Sequence, residues 1–421
     1  MIKKVIVGIC LLFATGTFAQ EGTASPYSFY GIGDIRFKGN TENRSMGGLG
    51  VFTDSLHINL QNPAGYGQLK FTTFTLSGSY NTSDLRTNSG DGKARRTAVD
   101  YLALGLPITK KLGVGFGLLP YSSVGYKIQN IETSEETSIT KSKQFFGTGG
   151  VNRAFLGAGY KINSNLSVGV NLDYNFGEIE TTSYEFWNTI QYGSRELNTS
   201  IIRGLSFNTG AMWNKKVTEK LSVYASLVYT PESTLRLSNV RNIAIVQERT
   251  NSNPIVIGDP QEIDVADTRL KLPSKFAFGA GIGEANKWLL GAEYTFQNTS
   301  NFANRFQDIS TGTYENSSKL SVGGYFIPDY DSFTSYMNRM TYRAGFRHEN
   351  TGLVIADKSI NDTALTLGLG FPISGSFSNV NLGFEYGKRG TKALNLVEEN
   401  YLNVILSFSL NDQWFVRRKY N

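Results

Sequence analysis

The sequence predicts an all-β chain: a transmembrane antiparallel β-barrel of about fourteen strands, with an N-terminal segment housed as a plug in its lumen. Three observations lead there. From about residue 71 to the C-terminus, strand-like segments are separated by alternately long and short gaps. Within the segments apolar and polar residues alternate, as in Leu166, Val168, Val170, Leu172, Tyr174 and Phe176 against Ser167, Gly169, Asn171, Asp173 and Asn175. One face of such a strand suits lipid and the other water. The stretch from Gln20 to Leu69 shows no alternation and is rich in Gly, Ser and Asn.

The N-terminus comes first. Lys3 and Lys4 precede an apolar run from Val5 to Ala14 and a small-residue site at Thr17-Phe18-Ala19, the pattern of a cleaved signal peptide over residues 1–19. The sole cysteine, Cys10, follows Ile9, a poor match to a lipid-attachment box, so a chain starting at Gln20 carries no thiol or disulfide. No run of 18 apolar residues follows, so a membrane crossing rests on strands. The net charge of +6 falls to +4 without Lys3 and Lys4 and is scattered, which argues against nucleic acid as a partner. The 22 tyrosines and 27 phenylalanines suit aromatic belts at two membrane interfaces.

After the segment 20–69 comes the barrel, 70–421. Its strands are expected near 71–81, 97–108, 113–126, 150–162, 166–178, 201–217 and 221–232, and then near 269–283, 288–297, 317–327, 339–349, 360–373, 380–388 and 399–411. Gaps after even-numbered strands are mostly short, such as Thr109-Lys110-Lys111 and Asn163-Ser164-Asn165. Gaps after odd-numbered strands are usually long and polar, which matches periplasmic turns and extracellular loops. The dyad rule recurs in Leu221, Val223, Ala225, Leu227 and Tyr229, in Trp288, Leu290, Ala292, Tyr294 and Phe296, and in Leu402, Val404, Leu406, Phe408 and Leu410. A water-soluble β-sandwich shows the same alternation, but the strand number and the leader disfavour it.

Charges on inward positions are Arg153, Asp173, Glu293, Arg343, Arg347 and Glu385. Each is a candidate for a paired group bracing the barrel or its plug. The functional alternative is that Arg343 or Arg347 meets a carboxylate head group, which a guanidinium binds in bidentate fashion. Neither His57 nor His348 sits in a Ser or Asp constellation, so no catalytic residue is assigned and an enzyme is not expected. Asp259, Glu262, Asp264 and Asp267 lack the spacing of a calcium loop, so no metal or other cofactor is expected. The apolar stretches Ile243-Ala244-Ile245-Val246 and Ile255-Val256-Ile257 in 233–268 suit strands rising above the membrane or, alternatively, a partner surface.

With its leader, its segment containing Arg44-Ser45-Met46-Gly47-Gly48 and Asn62-Pro63-Ala64-Gly65, and its strand count, the chain resembles the FadL/TodX family of outer-membrane transport proteins. The closing Leu410-Asn411-Asp412-Gln413-Trp414-Phe415, with the basic Arg417-Arg418-Lys419, is similar to members from Bacteroidota. The resemblance implies a barrel in the cell outer membrane, plugged by its N-terminus, that takes up hydrophobic small molecules or lipids such as long-chain fatty acids. It implies a lateral exit at a kinked third strand, which places a gate at Gly117 and Pro120. On the residues alone, Pro120 marks either an opening or the end of the membrane-crossing part of that strand. Some relatives serve as subunits or shuttles in secretion or assembly complexes, so a protein complex is the alternative expectation.

Overall fold

The computed structural model describes residues 23–134, 138–249, 253–302 and 312–414. The expected leader at 1–19, the start at Gln20 and the basic tail lie outside them. Fourteen strands form the ring: β1 (Thr72–Arg86), β2 (Asp91–Pro107), β3 (Leu112–Thr133), β4 (Thr140–Lys161), β5 (Leu166–Trp187), β6 (Gly193–Lys216) and β7 (Leu221–Thr230) make the first half. The second half is β8 (Lys275–Glu284), β9 (Trp288–Gln297), β10 (Ser317–Phe326), β11 (Thr341–Ile355), β12 (Lys358–Pro372), β13 (Asn379–Gly390) and β14 (Glu398–Asp412). Each pairs antiparallel with the next, and β14 closes on β1 from Asp412 opposite Thr72 to Glu398 opposite Arg86. Closure leaves no row of unpaired backbone groups at that seam, as a hydrocarbon surrounding demands.

The alternation decides the faces. Leu172, Leu205, Leu290 and Leu367 stand half-exposed or more on the outer wall, whereas Asn175, Ser407 and Arg347 are buried inside. Strands β3 to β6 hold 22 to 24 residues each, about twice what a crossing needs, so they rise well above the membrane. The stretch 233–268 continues this wall: Ser233–Gln247 pairs with the upper part of β6, and Ile255–Asp264 and Thr268–Leu272 pair with Ser233–Gln247 in turn. The strand expected at 269–283 is broken at Pro273, whose missing N–H cannot serve the ladder.

From Thr23 to Leu69 the chain lies against the inner faces of strands on every side of the ring. It includes a 3₁₀ turn at Pro26–Phe29, a two-residue strand at Asp34–Ile35, a helical turn at Thr41–Arg44 and a second 3₁₀ stretch at Pro63–Gln68. Gly47 and Gly48, with φ of 75° and 89°, turn the chain after the helix. The inner wall makes room for this backbone with glycine. A Cβ at Gly113, Gly159 or Gly169 would come within 3 Å of the backbone of Pro63 to Gly67; one at Gly210 would meet Asn62, and one at Gly323 or Gly345 would meet Met46. Those six inward glycines sit on β3, β4, β5, β6, β10 and β11.

Gly169→Val is expected to keep a heat-modifiable barrel while dislodging residues 62–67, at an overpacking cost of about 1–3 kcal/mol. Faster proteolysis of the N-terminal segment in the variant is the readout; unchanged proteolysis would refute the clearance role.

Candidate functional site

One half of the lumen is polar. Arg347 on β11 reaches Glu385 of β13 at 2.5 Å and Asp362 of β12 at 3.4 Å, and donates to the Tyr401 hydroxyl of β14 at 3.0 Å. The N-terminal segment joins this lattice. Arg44 lies 2.7 Å from Glu385 and 3.6 Å from Asp100 on β2, Lys38 lies 2.8 Å from Asp362, and Asp34 accepts from Arg389 at 2.8 Å. Arg343 donates to Asn381 at 3.0 Å, and Asn381 donates to Glu42 at 2.6 Å. Both arginines named from the sequence are thus buried and turned toward protein groups, Arg347 being 1% exposed. The other inward charges are likewise engaged: Arg153 lies 3.5 Å from Asp173, and Glu293 accepts from the Gly50 N–H at 2.8 Å.

Asn62-Pro63-Ala64-Gly65 begins the second 3₁₀ stretch. The Asn62 side chain accepts from the Ala64 N–H at 3.0 Å and donates to the Ala211 carbonyl of β6 at 3.3 Å, so it caps the turn and ties it to the wall. Asn59 accepts from the N–H groups of Gln61 and Asn62 and donates to the carbonyls of Gly50 and Phe52. His57 lies 2.7 Å from Asp54 and 3.8 Å from Glu42. Burial alone would push its imidazole down, yet those carboxylates hold it above its ordinary value. His348 contacts Thr363 at 2.8 Å on the exposed side.

Among the described residues the wall parts at one place. β2 and β3 pair only from Pro107 opposite Gly113 to Leu102 opposite Leu118, although both strands run on, to Asp91 and Thr133. Gly117 is the next-to-last paired residue of β3, packed against Ala103 and Phe155. Pro120 stands two residues beyond the last pair, at a bulge in the β3–β4 ladder between Pro120 and Ser122. The edge that β2 vacates is partly taken by the N-terminal segment, with Asp34 opposite Ser123 and Ile35 opposite Ser122, and the Arg36 N–H donates to the Tyr121 carbonyl at 2.9 Å.

Beside the parting lies a close-packed apolar cluster. Val124, Val151, Ile179, Ile202, Leu237 and Leu270 meet there, and Ile32 of the N-terminal segment packs among them. Two cavities of about 130 and 170 Å³ adjoin it and share Ile35, Lys38, Tyr121 and Leu272. Into the larger one project Arg153, Lys275 and Lys319. The two lysines make no hydrogen bond or ion pair among the described residues. Their inward parity was legible in the sequence, in step with Ala277 and Ser321. The strand at Asp34–Ile35 had no such signal.

Two outcomes test the lattice and the His57 contact. Arg347→Met leaves Glu385 with Arg44 and Asp362 with Lys38 as their remaining ion-pair partners and should cost up to about 3 kcal/mol, read as a lower temperature of barrel unfolding, with partial recovery when Glu385→Leu is added. A raised histidine value gives stabilisation that is full below about pH 6.5 and lost as pH rises through the folded value. Proteolysis of the segment should therefore quicken as pH rises above about 6.5, and His57→Gln should flatten that profile.

The fold is that of known outer-membrane channels. The toluene transporter TbuX of Ralstonia pickettii superposes with a TM-score of 0.58 at 13% identity, over 88% of this chain and 98% of that one. The toluene transporter TodX of Pseudomonas putida gives 0.57 at 16%, over 91% and 100%, and a FadL homologue of Pseudomonas aeruginosa gives 0.56 at 15%, over 89% and 98%. No curated protein matches the sequence. A closed fourteen-stranded ring with an apolar outer wall, of the FadL/TodX type, is an outer-membrane barrel. Residues 1–421 match the BamG family along their whole length, and the chain belongs to that family.

Proposed function

We propose that the barrel is a channel through which hydrophobic small molecules enter from outside, pass the apolar cluster around Ile32 and leave sideways between β2 and β3. The single observation that carries this reading is the parted wall above Leu102 and Leu118, beside an apolar cluster that includes Val124, Val151 and Ile179. An apolar solute leaving there enters the bilayer directly and never crosses the polar lattice below. The similar structures include toluene transporters and a monoaromatic hydrocarbon channel, which supports the ligand class.

Residues 20–69 act in this reading as the plug and 70–421 as the barrel, with passage passive and gated by the plug. Arg343 and Arg347 hold the plug rather than a ligand, because their donors face Asn381, Glu385 and Asp362. An acidic head, such as that of a long-chain fatty acid, has unpaired cations at Lys275 and Lys319 instead. Asn62, Pro63, Ala64 and Gly65 set the plug's fold, and Gly117 and Pro120 shape the lateral exit.

Ile35 and Ser122 face each other across the small ladder that covers part of this exit. Oxidised Ile35→Cys/Ser122→Cys should therefore lower uptake of a fluorescent apolar probe into vesicles or cells, with recovery on reduction. Equal uptake in both redox states would remove the lateral route.

Membership in the BamG family favours a second reading, a non-transporting subunit of an outer-membrane assembly or secretion complex. The ion pairs from Lys38 and Arg44 to Asp362 and Glu385 suit a plug that stays in place. Under that reading the probe enters no faster than through a lipid vesicle lacking the protein.

A further inference from the structure

We propose that the outer wall of β9 to β12, together with the connector 327–340 beneath it, seats a second integral outer-membrane protein that also has a basic, apolar-pocketed periplasmic part. The argument begins on the lipid side. Four residues run across adjacent strands in one row, Leu290, Gly324, Ala344 and Leu367, and the next row toward the strand ends is Trp288, Phe326, Tyr342 and Leu369. The two smallest side chains thus lie side by side between leucines and above aromatics. They form the floor of a groove of about 600 Å³ on the outside of the barrel. Small residues let a neighbouring wall approach closely within a membrane, where bulk apolarity no longer distinguishes protein from lipid.

The connector beneath is the longest at its end of the barrel among the described residues, fourteen residues where the other turns have three to six. It is ordered by its own bonds. The Asp329 N–H donates to the Asn338 carbonyl at 2.9 Å, and Ile327 and Met340 are buried at its base. Two bonds fix it under the groove: the Tyr342 hydroxyl donates to the Met337 carbonyl at 3.2 Å, and the Tyr336 hydroxyl donates to the Pro372 carbonyl at the end of β12 at 3.1 Å. On this fixed base Phe333 is fully exposed and Met337 is 58% exposed. An aromatic that itself touches nothing but stands on a bonded connector has the form of an interface anchor, because the backbone's ordering cost is met before the partner arrives.

The occupant follows from where the two features lie. An acyl chain can fill the groove but does not extend past the strand ends to cover Phe333, and a soluble protein can cover Phe333 but not enter the groove. One partner covers both only if it has a membrane wall and a periplasmic surface. Asp329 and Asp331 precede Phe333 in the connector, exposed and in no ion pair among the described residues, which calls for a basic rim on the partner beside the pocket that takes the ring. This surface is outside the lumen and independent of whether the barrel conducts.

The test places p-benzoylphenylalanine at Phe333 and, separately, at Leu367 in the full chain expressed in its native outer membrane. Irradiation should join both positions to the same second outer-membrane barrel protein. Phe333→Ser and Gly324→Leu should each reduce co-purification of that protein about tenfold or more, an anchor's loss of at least about 1.4 kcal/mol, while barrel heat-modifiability and apolar-probe uptake stay unchanged. Crosslinks to lipid only, to another copy of this chain, or to different proteins at the two positions would overturn the proposal. So would co-purification unchanged by both substitutions.

Discussion

Within a bilayer every backbone N–H and C=O must find a partner in the protein, and that constraint governs the whole molecule. Thirteen of the fourteen seams satisfy it by strand pairing from the barrel itself, including the closing seam between β14 and β1. The exception is the seam between β2 and β3, where pairing stops at Leu102 and Leu118. There the N-terminal segment supplies Asp34 and Ile35 as a short added strand, and the Arg36 N–H extends the bonding to Tyr121. The segment therefore completes part of the wall as well as crossing the lumen.

The segment is held by charge and by apolar contact in different proportions around the ring. Toward β11 to β14 and β2 charge runs through Asp34, Lys38 and Arg44 to Arg389, Asp362, Glu385 and Asp100, and Tyr27 packs with Leu353 and Ile360. Toward β2 to β6 apolar contact prevails, with Ile32 in one cluster and Ile58, Leu60 and Tyr66 in another beside Tyr101, Leu119 and Phe155. Buried ion pairs are directional and costly to break one partner at a time, whereas apolar contacts re-form against any apolar surface. The directional contacts thus concentrate at Glu385 and Asp362, and the non-directional ones around Ile32 beside the parted wall.

The same division explains the inner surface. Where backbone meets backbone the wall uses glycine, as at Gly159 and Gly169 under Pro63; where side chain meets side chain it uses charged or apolar partners. Larger residues at the glycine positions would lift the segment away from the carbonyl that Asn62 reaches on β6.

Much of this was legible in the sequence. Strand alternation is a local consequence of one face meeting lipid and the other the lumen, so Leu166 to Phe176 announced both a strand and its orientation, and gap lengths announced which ends were turns. The inward charges could be named by parity for the same reason. Their partners could not: Arg347 and Glu385 are 38 positions apart, Arg44 and Glu385 far more, and only the closed ring brings them within 3 Å. Pro120 was visible as an interruption, but whether it ended a strand or lay beside an opening depended on how far β2 followed β3. Sequence determined the strands, their faces and the family likeness, because these rest on each residue's own surroundings. Tertiary structure alone decided the ion-pair lattice, the parting above Leu118 and the strand that Asp34 and Ile35 add to it, because each depends on how far neighbouring strands stay paired and on where the N-terminal segment meets them across the lumen.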